Sequence, residues 1–357
     1  VSSTPTSTTR VPLLDVVRGV AILCMLIAHG MPFLVSVTLP ESVLLLTSSV
    51  NRVASPLFGF AMGAAAALVW SRPEVAREPV RRVLVDVGRG VVVYAIGVLV
   101  VELNTWVAVV LHVLGVLMII GIPVAALAGH AIRRREAGDQ TAVRLLGALT
   151  VALFAVAPAL TAALAPERLS NGTTGGVAEI WAALMAGTSY RAVSLLPFFA
   201  LGALVAACGL LARPRALAIV AGALGGALLV VVLATGGFGG TVVSGDLSDQ
   251  TSDLTLVALV VCAVAAAVAF GGRTAAPVRS ALADLGAIAL SAYVLQLVVL
   301  RPLMDWQGWL TSPALAWVSL VALVVVPSVA MIWWRRTLGP GPAERLVALV
   351  TGGRQAT

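Results

Sequence analysis

Along the chain, apolar runs of about twenty residues or more alternate with short polar breaks, many of them rich in arginine. A helix needs about 20 mainly apolar residues to cross a bilayer. Ten runs qualify: 13–38, 43–70, 83–101, 107–129, 144–165, 191–211, 216–236, 253–271, 282–301 and 311–334. They predict an all-α integral membrane protein of about ten transmembrane helices. Residues 13–334 form one transmembrane domain, 1–12 a disordered tail and 335–357 a C-terminal tail. Most breaks are short, so neighbouring helices should be antiparallel.

Composition agrees with this pattern. Of 357 residues, 60% are hydrophobic and only 11% charged, and the mean hydropathy is +1.03. A soluble domain is about one quarter charged, so lipid must be the solvent for most of this surface. Formal net charge is +7, and all 23 cations are arginine, which reads as the mark of a GC-rich genome. No basic soluble domain exists to hold nucleic acid. The first run is too long for a signal peptide and carries His29. Cys24, Cys208 and Cys262 sit singly in apolar runs, without the spacing of a metal site or a disulfide framework.

Arginine placement sets the expected orientation, because positive loops stay on the cytoplasmic side. The N-terminal tail, the loops after spans two, four, six and eight, and the C-terminal tail together carry 17 arginines. The opposite loops carry three, Arg168, Arg191 and Arg301, together with Glu41, Glu102, Glu167, Glu179, Asp246, Asp249 and Asp305. Both ends are therefore expected inside. Stretches 166–190 and 237–252 are rich in Gly, Ser and Thr. They would form either an outward-facing entrance or plain solvated connectors. No inverted repeat of the usual secondary-transporter kind is visible.

Polar groups within the spans single out the candidate chemistry, since an ionisable group at mid-bilayer costs about 2.5–3.5 kcal/mol on insertion scales. They are Asp15, Arg18, His29, Asn51, Arg52, Arg89, His112 and Asp284, with Tyr293 and Gln296 as weaker members. Asp15 and Arg18 are three apart and can pair on one helix face. Arg18 and His29 are eleven apart, close to three turns, so they share a face about 16 Å apart along the axis. Arg18 would hold an anionic donor at the inner surface, and His29 would act beyond mid-membrane. His112 should reach a similar depth, which suggests a proton-handling pair. Arg52, beside Asn51, is too deep to snorkel and should need a partner or an anionic substrate. Ser291, Tyr293 and Gln296 are read as pathway residues or as interhelical hydrogen bonders. The Gly/Ala-rich runs near 202–209 and 221–227 suggest close helix packing and would permit a homodimer.

Several segments together resemble the transmembrane acyltransferase superfamily, which includes heparan-α-glucosaminide N-acetyltransferase and bacterial membrane O-acyltransferases. Leu14-Asp15-Val16-Val17-Arg18-Gly19-Val20-Ala21 is similar to the family's L-D-x-x-R-G-x-A opening. Arg18 and His29 reproduce the bacterial enzymes' Arg, ten residues, His spacing. Pro56 to Gly63 resembles the second-helix P-x-F-x-F-x-x-G pattern. Leu196 to Gly202, Ser291 to Gln296, and Trp333 with Gly341 to Leu346 resemble motifs of a related, poorly characterised bacterial group.

The resemblance implies transfer of an acyl group, most simply acetyl, from cytoplasmic acyl-CoA to a hydroxyl or amine on the outer face of a bacterial plasma membrane. Acyl-CoA would be the donor substrate, with no tightly bound cofactor or metal. The acceptor would be a cell-envelope sugar, a glycolipid or a small molecule. Arg18 with Asp15 would bind the donor, and His29, with His112, would act as general base or carry the acyl group. The competing expectation is a transporter or flippase with Asn51, Arg52 and the histidines along its pathway.

Overall fold

Proline opens most of the helices, where its missing N–H costs nothing and its fixed φ suits the first turn. It stands in the first turn of α1 (Pro12–Gly30), α3 (Pro73–Arg77), α4 (Pro79–Val101) and α6 (Ile122–Glu136). It does so again in α9 (Pro214–Ala234), α11 (Ala276–Ala287), α13 (Pro313–Leu338) and α14 (Pro342–Val350). Between these lie α2 (Glu41–Trp70), α5 (Leu111–Ile120), α7 (Thr141–Ala163), α8 (Ala192–Ala207), α10 (Leu247–Phe270) and α12 (Ala289–Trp306). The N-cap side chain itself caps α10 and α13: Asp246 accepts from the Asp249 amide at the start of α10, and Ser312 from Leu315 at the start of α13.

The computed structural model describes residues 11–163, 184–185, 191–238 and 245–352. Residues 1–10, most of the stretch 166–190 with Glu167, Arg168 and Glu179, residues 239–244 and Arg354 lie outside the described residues. The protein is an all-α membrane protein, with no strand among the described residues. Among the described residues seven helices are long and apolar enough to cross a bilayer, or up to nine spans if each of two bent pairs is one. The sixteen-residue α8 is a shorter apolar helix at the sixth expected position.

Two of the expected spans are broken rather than straight. The fourth is the pair α5–α6, bent by 54° at Gly121, where Pro123 cannot continue the hydrogen-bond ladder. The ninth is the pair α11–α12, bent by 84° at Ile288. Here no proline acts. The freed amides of Leu290 and Ser291 instead donate to the Glu344 carboxylate of α14, at 2.9 and 3.2 Å. The Ser291 hydroxyl also donates to Glu344 and accepts from the Ala343 amide at 3.0 Å. The C-terminal helix thus caps the start of α12.

The helices that carry the candidate chemistry are the innermost. In α1 and α2, 67% of the apolar window is buried by protein; in α4, α7, α9, α10 and α13 it is only 22–33%, so those helices face lipid. Two close crossings hold the centre together. A Cβ on Gly19 of α1 would fall 2.0 Å from the Leu282 carbonyl oxygen of α11, and one on Gly286 would fall 1.9 Å from that of Asp15. Likewise, a Cβ on Gly63 of α2 would meet the Phe199 carbonyl oxygen of α8 at 1.8 Å. Small residues that let helix backbones touch are the usual means of helix packing in lipid.

Candidate active site

At the start of α1, Asp15 lies 3.4 Å from the Arg18 guanidinium and is itself buried. Arg18 lines a cavity of about 250 Å³ between α1, α2, α4 and α14. Arg82, Asp86 and Arg89 of α4, spaced four and three apart, project from one face into the same cavity. Asp86 pairs with Arg82 and accepts from the Trp70 indole at 2.9 Å. Arg89 has no hydrogen bond or ion pair among the described residues. The deeper walls are apolar, with Met62, Val93, Met118 and Phe199. A positive mouth above an apolar interior suits a ligand with an anionic head and a slender, less polar body.

At the other end of α1, His29 lines a cavity of about 510 Å³. Its ring is buried, and Nδ1 lies 2.6 Å from Gln296 Nε2 of α12. Tyr293, one turn earlier on α12, meets the imidazole edge-on, and its hydroxyl oxygen accepts from the Val110 amide at 3.1 Å. Trp106 donates its indole N–H to the His29 carbonyl at 3.0 Å and packs edge-on against Phe33 and Trp309. Backbone and ring of His29 are therefore both held, which is what a reacting base requires.

The cavity's second wall comes from α10. Arg52 donates to Asp249 at 2.8 Å and to Asp253 at 3.2 Å, so the partner expected for this buried cation is a pair of carboxylates. Gln250 lies between them in sequence, is only 3% exposed, and has no hydrogen-bond partner on either amide atom among the described residues. Gly245, Asp249 and Gln250, in the second Gly/Ser/Thr-rich stretch, thus line the cavity.

The structure brings His29, Asn51 and Arg52 to one cavity and Arg18 to the other, with Asp15 beside it. Tyr293 and Gln296 support His29 through interhelical contacts. Ser291 is tied to Glu344 instead of facing either cavity. His112 packs against Gly97 of α4; its Nδ1 is buried without a partner among the described residues, and no hydrogen bond joins it to His29. The sequence marked Arg89 only as an ionisable group within a span, and gave no individual role to Arg82, Asp249, Gln250, Asp253 or Glu344. The spacing of Arg82, Asp86 and Arg89 was a usable signal. Nothing local in the sequence pairs Arg52 with carboxylates almost two hundred residues away.

Little separates the two cavities. Met25 and Phe58 touch a small void beside His29, and Met62, one helical turn beyond Phe58, already lines the Arg18 cavity. Two chambers that open near opposite ends of one helix, parted by a thin apolar septum, suit a reaction between partners on two sides of a membrane. Residues 10–134 match the family described as Heparan-alpha-glucosaminide N-acetyltransferase, catalytic. This part of the chain is similar to the heparan-α-glucosaminide N-acetyltransferase-like transmembrane acyltransferases. The acyltransferase-like part covers α1 to α5 and nearly all of α6, and so includes Arg18, His29, Arg52, Arg89 and His112. The walls from α10, α12 and α14 lie beyond it. No curated protein and no solved structure matches the chain.

Proposed function

We propose that the chain transfers an acyl group from cytoplasmic acyl-CoA to a hydroxyl or amine acceptor on the outer side of a bacterial plasma membrane, with both chain ends inside. The observation that carries this reading is the placement of Arg18 and His29 on one helix in separate cavities. Arg18, Arg82 and Arg89 bind the donor's phosphates, and Asp15 orients Arg18. The thioester arm reaches His29 by displacing Phe58 and Met62.

His29 takes the proton of the acceptor O–H or N–H. The freed lone pair attacks the thioester carbonyl, the C–S bond breaks, and the CoA thiolate recovers the proton from His29. An acyl-histidine route, in which the ring nitrogen attacks first, uses the same geometry. His112 is assigned no step.

Acetyl transfer and CoA binding, measured side by side, test this. His29→Ala should abolish transfer and leave CoA affinity within about twofold. Arg89→Gln should weaken CoA binding about tenfold or more, the effect of losing a charge-assisted hydrogen bond. Full activity in His29→Ala would discard the reading. The Arg52, Asp249 and Asp253 cluster would also suit a transporter, and substrate flux through proteoliposomes without CoA would favour that alternative.

A further inference from the structure

Beside the His29 cavity runs a second opening, an apolar groove of about 470 Å³ between the turn that follows α1 and the first turns of α2. Leu34, Val35, Leu39 and Leu44 line it. It shares Ala28, Pro32 and Asn51 with the His29 cavity, so the two spaces join at the site. Val35 is 75% and Leu44 51% exposed, which turns the groove toward lipid. An acceptor arriving only from water would have no use for this side entrance.

The polar cavity indicates what the head of such a ligand must be. Gln250 presents one buried donor group and one buried acceptor with no partner among the described residues, a costly state that a ligand hydroxyl would relieve. Among the described residues that line the cavity the formal charges cancel, Arg52 and Arg191 against Asp249 and Asp253. These four leave no net charge to favour a charged head.

We propose that the acceptor is an uncharged, hydroxyl-bearing amphiphile, with its head on Gln250 beside His29 and its chain in the Leu34–Leu44 groove. This rests on the acyl-transfer reading for the word acceptor, but the binding site itself does not.

The test uses the full chain in lipid nanodiscs with a dodecyl glucoside that carries a photoreactive diazirine in its chain. Labelling should concentrate on residues 31–46. Unlabelled dodecyl glucoside should compete and methyl glucoside should not. Gln250→Ala and, separately, Leu44→Trp should each lower labelling about tenfold. Labelling spread evenly over the lipid faces of α9 and α13, or labelling at 31–46 indifferent to Gln250→Ala, marks ordinary annular lipid and overturns the proposal. Acetylation of dodecyl glucoside in the same sample supports both readings. Specific labelling without any acyl transfer upholds the amphiphile site and overturns the transfer reading.

Discussion

Gln296 Nε2 and His29 Nδ1 stand 2.6 Å apart in the buried seam between α12 and α1. A neutral imidazole carries a proton on only one nitrogen, and the partner of the other decides which. If the Gln296 amide turns its oxygen to Nδ1, the proton rests there and Nε2 is free to act as base. The amide also stops the ring from rotating. Replacing it with leucine should lower kcat by about tenfold or more, the cost of one lost buried hydrogen bond, with little change in the acyl-CoA KM. Gln296→Glu keeps an acceptor at Nδ1 and should retain more activity than Gln296→Leu. Steady-state kinetics on both variants, with thermal unfolding as a control, decide it; equal activity in the two would remove the tautomer argument.

Glycine positions supply a stability test with a built-in contrast. Gly63→Ala and Gly286→Ala each place a methyl within 2 Å of a carbonyl oxygen on the facing helix. The helices must separate, at a cost of about 1–3 kcal/mol or more. Gly226 of α9 has nothing within 4 Å. Gly226→Ala should leave the unfolding midpoint unchanged or raise it slightly, because alanine favours the helix by about 1 kcal/mol. Thermal unfolding of the three variants in one detergent should separate the first two from the third.

Arg52 and its two carboxylates form the third case. Arg52→Leu leaves Asp249 and Asp253 together without their cation and should cost about 3 kcal/mol, toward the low end for a buried pair because these groups border a cavity. Adding Asp253→Asn and Asp249→Asn to that variant should restore part of the loss. A triple variant no more stable than Arg52→Leu alone would show that the arginine acts through packing rather than charge.

The all-α membrane architecture was legible because bilayer thickness imposes run lengths that no other solvent does. The two ends of the candidate site were legible for a related reason: Arg18 and His29 share a helix, and helical periodicity places them without knowledge of the fold. The breaks at Gly121 and Ile288 were less so. The first had Pro123 as a signal, but the second depends on Glu344, which only tertiary packing brings to Leu290 and Ser291. Arg52 shows the same limit: its burial was readable, whereas Asp249 and Asp253 reach it only through the placement of α10 beside α2.

The Glu344 contact ties the order of synthesis to the assembly of the site. The first turn of α12 remains without its carboxylate cap until α14, which follows α13 in the chain, has emerged and folded back. Glu344 and Val347 then complete the wall of the Arg18 chamber. A nascent chain can thus insert α1 to α13 while the Arg18 chamber still lacks a side, and the finished chamber is a late product of biogenesis.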